Sequence, residues 1–256
     1  MANMISAELY KLRKSKGFWI MIAIAAGLAA FVSIAFGAIP AEDLMGMRPA
    51  SASEMLNGAL SGNISGILFI LVGFTVVFIN GDFDSGTVRN PLAIGVTRCA
   101  YYTAKFVAIL VTCAAFIVVT MLATVLPYFI FEPWGDAFNL LNFLSSTGVG
   151  YLILVAQATL FMTVALVTRK LGATLGIVLG YLVLDMIIGA FILMMETSSL
   201  VRTLANILPT PAAYYLAYLS IGEANFGNVM MVIVISVAMI GVLSLVAVGS
   251  LVKKDI

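Results

Sequence analysis

Six long apolar runs dominate the chain and restrict what it can fold into. They cover approximately residues 18–39, 62–79, 103–129, 147–168, 171–195 and 229–252. Most approach or exceed the roughly 20 residues that a helix needs to cross about 30 Å of hydrocarbon. Helices are expected because lipid offers no hydrogen-bond partner to backbone groups. The sequence therefore predicts an all-α polytopic membrane protein with six transmembrane helices.

The composition agrees with this class and argues against several others. Of 256 residues, 62% are hydrophobic and 10% are charged, whereas a soluble domain has about 45–50% apolar and about 25% charged residues. The net charge of +1 and the lack of a rich basic patch predict no nucleic-acid partner. The chain has no histidine, and its two cysteines fit no metal spacing, so no metal site is predicted. We see no linker or convincing repeat and expect a single transmembrane domain over residues 1–256.

Residues 4–16 predict an amphipathic helix that lies in the membrane interface. Ile5, Leu9 and Leu12 share one helical stripe, and basic residues fill the remaining faces, namely Lys11, Arg13, Lys14 and Lys16. This pattern is typical of a helix that is attracted by anionic lipid. The following apolar run is longer than that of a signal peptide, so we expect an anchor that is not cleaved.

The distribution of basic residues predicts the orientation. With the N-terminus inside, only Arg48 and Arg202 of the 13 Lys and Arg residues would lie outside. Such asymmetry is what positive-inside sorting produces. We therefore expect a multi-pass protein of the cytoplasmic (plasma) membrane with both termini in the cytoplasm.

Polar side chains inside the spans are candidate functional residues. Asp185 lies near the middle of the fifth span, where an aspartate costs about 2.5–3.5 kcal/mol on insertion scales. Tyr181, one turn earlier, shares its helical face, so its phenol is a candidate partner for the carboxyl. Gln157 is a polar residue of the fourth span and carries a side-chain amide. Two interpretations remain open for Asp185: a functional group that faces a cavity or a second protomer, and an internally satisfied group that only holds the bundle.

A glycine row is predicted to pack the fifth span closely against a neighbour. Gly172, Gly176 and Gly180 recur every four residues, roughly opposite Asp185. We therefore expect this helix to be central. Between the last two spans, residues 200–218 combine an apolar stripe with Pro209, Pro211 and tyrosines. This pattern predicts short helices, broken at the prolines, that rest in the outer interface.

The polar connection at residues 80–105 carries a pattern that resembles a known family. An acid is followed by a Gly-Thr step, a basic residue, a Thr-Arg pair and a lysine at the start of the next helix. In this chain the pattern comprises Asp82, with Asp84 beside it, then Gly86, Thr87, Arg89, Thr97, Arg98 and Lys105. Together with the basic N-terminal helix and the six spans, it resembles the permeases of the ABC type-2 family. The family usually has Glu where Asp82 stands.

The resemblance implies a fold like that of type V ABC exporters and a role as one permease half. Two permease subunits, identical or different, would pair and bind two separate ATPase subunits. Asp82, Asp84, Gly86, Thr87, Arg89 and Arg98 would then form the ATPase-coupling loop. The substrate path would be lined by Asp185, Tyr181 and Gln157, and the glycine row would pack within the protomer or across the dimer. ATP and Mg would bind to the ATPase, and this chain would hold no cofactor. Members of this kind often export peptide antibiotics or hydrophobic compounds, or confer immunity against them.

Two other functions remain open from the residues alone. A secondary transporter would use Asp185 as a proton or cation site and would need no ATPase. A non-transporting sensor subunit would bind partners through the same connection. An enzyme is not predicted, since the chain lacks a GxxxxGK[ST] phosphate loop and the spans offer no nucleophile with a base.

Overall fold

The computed structural model describes residues 2–39, 49–87, 95–135, 138–194, 207–222 and 226–253. Within these ranges the chain forms only helices. They are α1 (Ala2–Lys14), α2 (Lys16–Ala38), α3 (Ala52–Asp84), α4 (Arg98–Tyr128), α5 (Leu140–Thr168), α6 (Leu171–Met194), α7 (Pro209–Ile221) and α8 (Phe226–Lys253). Six of them, α2 to α6 and α8, are long and apolar enough to cross a membrane. The prediction of an all-α polytopic membrane protein is confirmed.

Capping residues explain why several helices begin before the apolar runs. The Oγ of Ser51 accepts the N–H of Glu54 at 3.2 Å, which starts α3 at Ala52 and not near residue 62. Thr97 and Asn139 cap α4 and α5 in the same way. Hydropathy marks the part of a helix that fits into hydrocarbon, whereas a polar cap marks where the helix itself begins. α3 is therefore about 50 Å long and extends beyond the membrane core.

α5 and α3 form the centre of the bundle. Most of α5 is buried, and α3, α4, α6, α7 and α8 all pack against it. α6, the fifth span, was expected to be central, but most of it is exposed in the single chain. The apolar residues of α6 surround the helix, so hydropathy does not indicate which of its faces meets other helices of the same chain.

The two ends of the bundle differ in charge. We call one end the basic end: it carries α1, the α3–α4 and α5–α6 connections and the end of α8. Arg98, at the start of α4, donates from Nη1 to the carbonyls of Leu251 and Val252, both at 2.5 Å. This contact joins α4 to the last turn of α8 and satisfies carbonyls that lack a partner within the helix.

A row of small residues lets α2 approach α4 closely. Ser33 donates its hydroxyl to the carbonyl of Thr124 at 2.5 Å. Gly37, one turn later, lies against the ring of Phe131, whose atoms would come within 2.3 Å of an added Cβ. A side chain at this position therefore forces the ring or the helix to move.

We predict that Gly37→Ala destabilises the protein by about 1–3 kcal/mol, since it overpacks the contact with Phe131. Gly27→Ala on the same helix is the matched control because no atom lies within 4 Å of an added Cβ there. The control should leave stability unchanged or raise it by up to about 1 kcal/mol. Thermal unfolding in detergent checks both, and equal midpoints for the two variants would contradict the packing argument.

Candidate functional site

A cluster of four charged side chains lies at the basic end, between α1, α3 and α4. Glu8, Asp82 and Lys105 are buried, and Lys11 is exposed. Lys105 of α4 is fully buried, and its Nζ lies 2.8 Å from Oε2 of Glu8 and 2.5 Å from Oδ2 of Asp82. Lys11 of α1 forms an ion pair with the other carboxylate oxygen of Asp82. Two carboxylates thus face two ammonium groups, and their formal charges cancel. Since removal of one partner leaves a buried charge uncompensated, the cluster holds three helices in a fixed arrangement.

Aromatic side chains complete the surroundings of the cluster. The Nζ of Lys105 lies 4.2 Å from the ring centroid of Phe78, which provides a cation–π contact. The hydroxyl of Tyr101 donates to Oδ2 of Asp82 at 3.4 Å. The sequence analysis did not foresee this cluster. The available signal was a lysine within an otherwise apolar helical face, which needs a buried acid as its partner.

The residues expected in one coupling loop occupy different environments. Asp82 and Asp84 lie in the last turn of α3, not in a loop, and Asp82 is buried by its ion pairs. Gly86 and Thr87 follow in an exposed turn, in which Gly86 has a φ of 68°. The hydroxyl of Thr87 lies 3.3 Å from the carbonyl of Asp82 and donates to it. The exposed turn therefore folds back over the end of α3 and is attached to the cluster.

Of the two basic residues predicted in the coupling loop, the structure describes only Arg98. Arg98 is the first residue of α4, and its guanidinium is used by the carbonyls at the end of α8. It does not join the Asp82 cluster through any contact among the described residues. Arg89 lies outside the described residues.

A second turn, between α5 and α6, adjoins the end of α3. Arg169 adopts the left-handed conformation there, with a φ of 56°, and its guanidinium lies 5.5 Å from the ring centroid of Phe83. Its Nε and Nη2 are buried without a hydrogen-bond partner among the described residues, as is Oδ1 of Asn80. The sequence analysis did not single out this Arg-Lys pair. A non-glycine residue in this conformation gives no signal in a single sequence.

Asp185 performs a definite structural task inside the bundle. Its carboxylate accepts the backbone N–H of Thr210 at 3.2 Å and the hydroxyl of Thr210 at 2.8 Å. Thr210 lies in the first turn of α7 between two prolines, which have no N–H, and Ala212 N–H already reaches the carbonyl of Leu208. Asp185 thus supplies the acceptor that the first turn of α7 lacks.

The position of α7 differs from the prediction. A helix begins at Pro209 and continues through Pro211, since proline fits the first turn of a helix. The apolar stripe predicted before the prolines lies mostly outside the described residues. α7 packs against α3, α5 and α6, with Ala212, Ala213 and Leu216 buried. Because Asp185 lies roughly 14 Å before the end of α6, α7 begins within the bundle and does not lie on its outer surface.

Gln157 and Tyr181 form the second half of this network. Tyr181 donates its hydroxyl to Oε1 of Gln157 at 2.8 Å and not to Asp185. The Nε2 of Gln157 donates to the carbonyl of Ile207 at 3.1 Å. The three predicted polar residues therefore lie at one junction of α5, α6 and the start of α7. Every hydrogen bond named here joins groups of the same chain.

The glycine row of α6 points away from this network. Gly172, Gly176 and Gly180 are exposed, and no atom of the described structure lies within 4 Å of an added Cβ at any of them. The expected close packing within the protomer is therefore not found. Instead, Asp185 lies on the face that contacts the remainder of the chain.

We predict that Lys105→Met lowers the free energy of unfolding by about 3–5 kcal/mol, since it leaves two buried carboxylates without their shared ammonium group. Lys14→Met, on the exposed face of α1, should change stability by less than about 0.5 kcal/mol. Addition of Glu8→Gln and Asp82→Asn to Lys105→Met should recover part of the loss. Thermal unfolding in detergent measures all variants, and a Lys105→Met midpoint equal to that of Lys14→Met would refute the ion-pair account.

We predict that Asp185→Ala loosens α7, because the N–H of Thr210 loses its acceptor inside the bundle at a cost of about 1–3 kcal/mol. Asp185→Asn keeps one carbonyl acceptor and should have a smaller effect. Hydrogen exchange of the α7 amides provides the measurement, with Asp84→Ala at the exposed end of α3 as the control. Unchanged exchange in Asp185→Ala would show that the carboxylate does not stabilise α7.

Comparison with protein families identifies the family of this chain. A family model described as ABC-2 family transporter protein matches residues 4–185, well over half of the chain. The matched range includes the charged cluster, both turns at the basic end and Asp185. No curated protein matches the chain.

Proposed function

Because the chain belongs to the ABC-2 transporter family, we propose that it is one permease subunit of an ATP-driven exporter with two permease and two ATPase subunits. Membership makes the chain a multi-pass membrane permease of an ABC transporter. The sequence contains no GxxxxGK[ST] phosphate loop, so a partner must bind and hydrolyse ATP. The finer proposals concern where this partner docks, how two permeases pair and what is carried.

The adjacency of two turns at the basic end carries the proposal for ATPase docking. Gly86 and Thr87 follow α3, Arg169 and Lys170 follow α5, and the Phe83–Arg169 contact joins the two segments. Two turns that lie side by side on rigid helices offer a wider contact surface than one loop. We refer to Ser85, Gly86, Thr87, Arg169 and Lys170 as the docking surface.

The chemistry of the docking surface suits an acidic partner group. Lys170 is exposed and Arg169 is half-buried, so two cationic side chains belong to the docking surface. A carboxylate forms charge-assisted hydrogen bonds with such groups. We propose that an Asp or Glu of the ATPase supplies it.

The charged cluster connects the docking surface to the membrane helices. Thr87 is hydrogen-bonded to Asp82, and Asp82 is paired with Lys105 of α4 and Lys11 of α1. A displacement of the turn by the ATPase would therefore move α1, α3 and α4 together. In this proposal Asp82 acts as a positioning residue and does not itself contact the partner.

The basic end is proposed to face the cytoplasm of a prokaryotic cell. All but two of the 13 Lys and Arg residues belong to that side under the positive-inside rule. The exposed glycine row of α6 is proposed to contact the second permease subunit, since small residues permit close helix approach in lipid. A peptide or hydrophobic antimicrobial compound is the proposed cargo, on the family resemblance alone.

The secondary-transporter alternative receives no support from the surroundings of Asp185. Its carboxylate oxygens are both used by Thr210, and the contact has a structural explanation in the start of α7. We therefore propose a structural role for Asp185 and do not adopt that alternative.

We predict that Arg169→Glu reduces ATPase binding at least about tenfold, which corresponds to about 1.4 kcal/mol of binding free energy. The tagged chain is purified in mild detergent from cells that produce it naturally, and ATPase activity is measured in the eluate. Lys16→Glu, an exposed charge reversal at the same end, is the matched control and should retain the activity. Thermal midpoints confirm that both variants fold.

Two results would contradict the proposal at different levels. Equal ATPase activity in the eluates of Arg169→Glu and Lys16→Glu would refute the proposed docking surface but would not contradict the proposed exporter. No ATPase with the unaltered chain in several detergents would argue against the ATP-driven exporter itself.

A further inference from the structure

One face of α6 packs against the rest of the chain, and it carries a polar side chain at each of two levels. Along this face the buried residues include Thr174, Val178, Leu182 and Asp185. They recur every three or four residues and so form one continuous stripe on the helix. The packing of the apolar residues in the middle is not directional. The hydrogen bonds of Thr174 and Asp185 therefore specify how α6 is placed in the bundle.

Thr174 joins α6 to two other helices near the basic end. Nδ2 of Asn80, on α3, donates to Oγ1 of Thr174 at 2.9 Å, and both side chains are fully buried. The same hydroxyl oxygen lies 2.5 Å from Oγ1 of Thr168, the last residue of α5. The helices α3, α5 and α6 therefore meet at one hydroxyl group. A movement of the end of α3 must carry α6 with it or break this contact.

This contact lies next to the docking surface. The hydroxyl of Thr174 donates to the carbonyl of Lys170, one turn earlier, at 2.8 Å. Asn80 lies one turn before Phe83 on α3, and the ring of Phe83 contacts the guanidinium of Arg169. A partner that binds to the docking surface thus acts close to the residues that join α3 to α6.

The middle of α6 is held by a separate set of contacts. Asp185 lies 11 residues after Thr174, a rise of about 16 Å along the helix axis. It accepts two hydrogen bonds from Thr210 of α7, and Tyr181 donates one to Gln157 of α5. These three hydrogen bonds fix α6 to α5 and α7 at this level, and none of them involves α3. The basic end of α6 can therefore move with α3 while its middle stays in place.

We propose that α6 tilts about Asp185 when the ATPase displaces the docking surface, and that the Asn80–Thr174 hydrogen bond transmits this displacement. The inference rests on the proposed function, since the ATPase supplies the movement. The glycine row on the opposite face of α6 begins at Gly172, at the end that moves. The tilt thus shifts the face that is proposed to meet the second permease subunit. Asn80 and Thr174 are positioning residues in this step, and neither contacts the ATPase.

Hydrogen exchange of the permease in nanodiscs, with and without its ATPase, tests this proposal. Thr174→Val removes the hydroxyl and keeps the shape of the side chain, whereas Thr174→Ser keeps the hydroxyl. In the unaltered chain, ATPase binding should change the exchange rates of residues 172–178 at least about threefold and leave those of residues 183–189 unchanged. Thr174→Ser should retain this response. Thr174→Val should lose it, although the ATPase still protects the turns at residues 85–87 and 169–171.

Thr159→Val is the matched control, because Thr159 is a fully buried threonine of α5 whose hydroxyl donates to the carbonyl of Val155 within the same helix. This variant should retain the response of residues 172–178. Asn80→Leu removes the donor of the transmitting hydrogen bond and should act like Thr174→Val. The double variant should show no further loss, since both changes break one contact. Thermal midpoints show which variants keep their fold, and Asn80→Leu decides if Thr174→Val does not.

A purely structural role for Thr174 predicts a different result. Loss of the hydrogen bond would then raise exchange in residues 172–178 equally with and without the ATPase, and Thr174→Val would keep the response to the ATPase. That result would overturn the proposal and leave the docking surface intact. A response of equal size at residues 183–189 would also overturn it, because α6 would then move as a whole. No ATPase binding by the unaltered chain would instead contradict the proposed exporter, and this inference with it.

Discussion

The buried ammonium group of Lys105 is the interaction on which the basic end depends. It holds Glu8 of α1 and Asp82 of α3 within hydrogen-bond distance while it stands over the ring of Phe78. A buried charge is tolerated only when it is paired, so the helices must keep the positions that pair it. The amphipathic helix is thereby fixed to the membrane bundle and does not simply rest on lipid. The hydrogen bond from the hydroxyl of Thr87 to the carbonyl of Asp82 attaches the turn after α3 to this fixed arrangement.

The same constraint shapes the interior of the bundle. A helix that begins among other helices exposes N–H groups that lipid cannot satisfy. In α7 two prolines remove two of these groups, and Asp185 accepts the one that remains. Asp185 resembles an ion site in the sequence, but its hydrogen bond to the backbone N–H of Thr210 explains its presence. Ion pairs hold the helices together at the basic end, and the hydrogen bonds of Asp185 join α6 to α7 inside the bundle.

The sequence was sufficient for the class of fold and insufficient for the arrangement of the helices. Long apolar runs determine the number of spanning helices because of the thickness of the membrane. The helix starts at Ala52 and Arg98 depend on single caps, which hydropathy does not register. The pairing of Lys105 with Glu8 joins residues far apart in the chain, and nothing local to either residue identifies the other. The four-residue spacing of the glycines in α6 was recognised correctly. The exposure of this face in the single chain depends on how the helices pack, which the spacing does not reveal.

In the proposed mechanism, α1, the end of α3 and the start of α4 move as one unit when the ATPase binds to the docking surface. Hydrogen exchange of the permease alone and in complex with its ATPase tests this claim most directly. Binding is predicted to slow exchange at residues 85–87 and 169–171 and, together with them, at the amides of α1. Protection confined to other parts of the chain, or protection of the turns that leaves α1 unaffected, would contradict it.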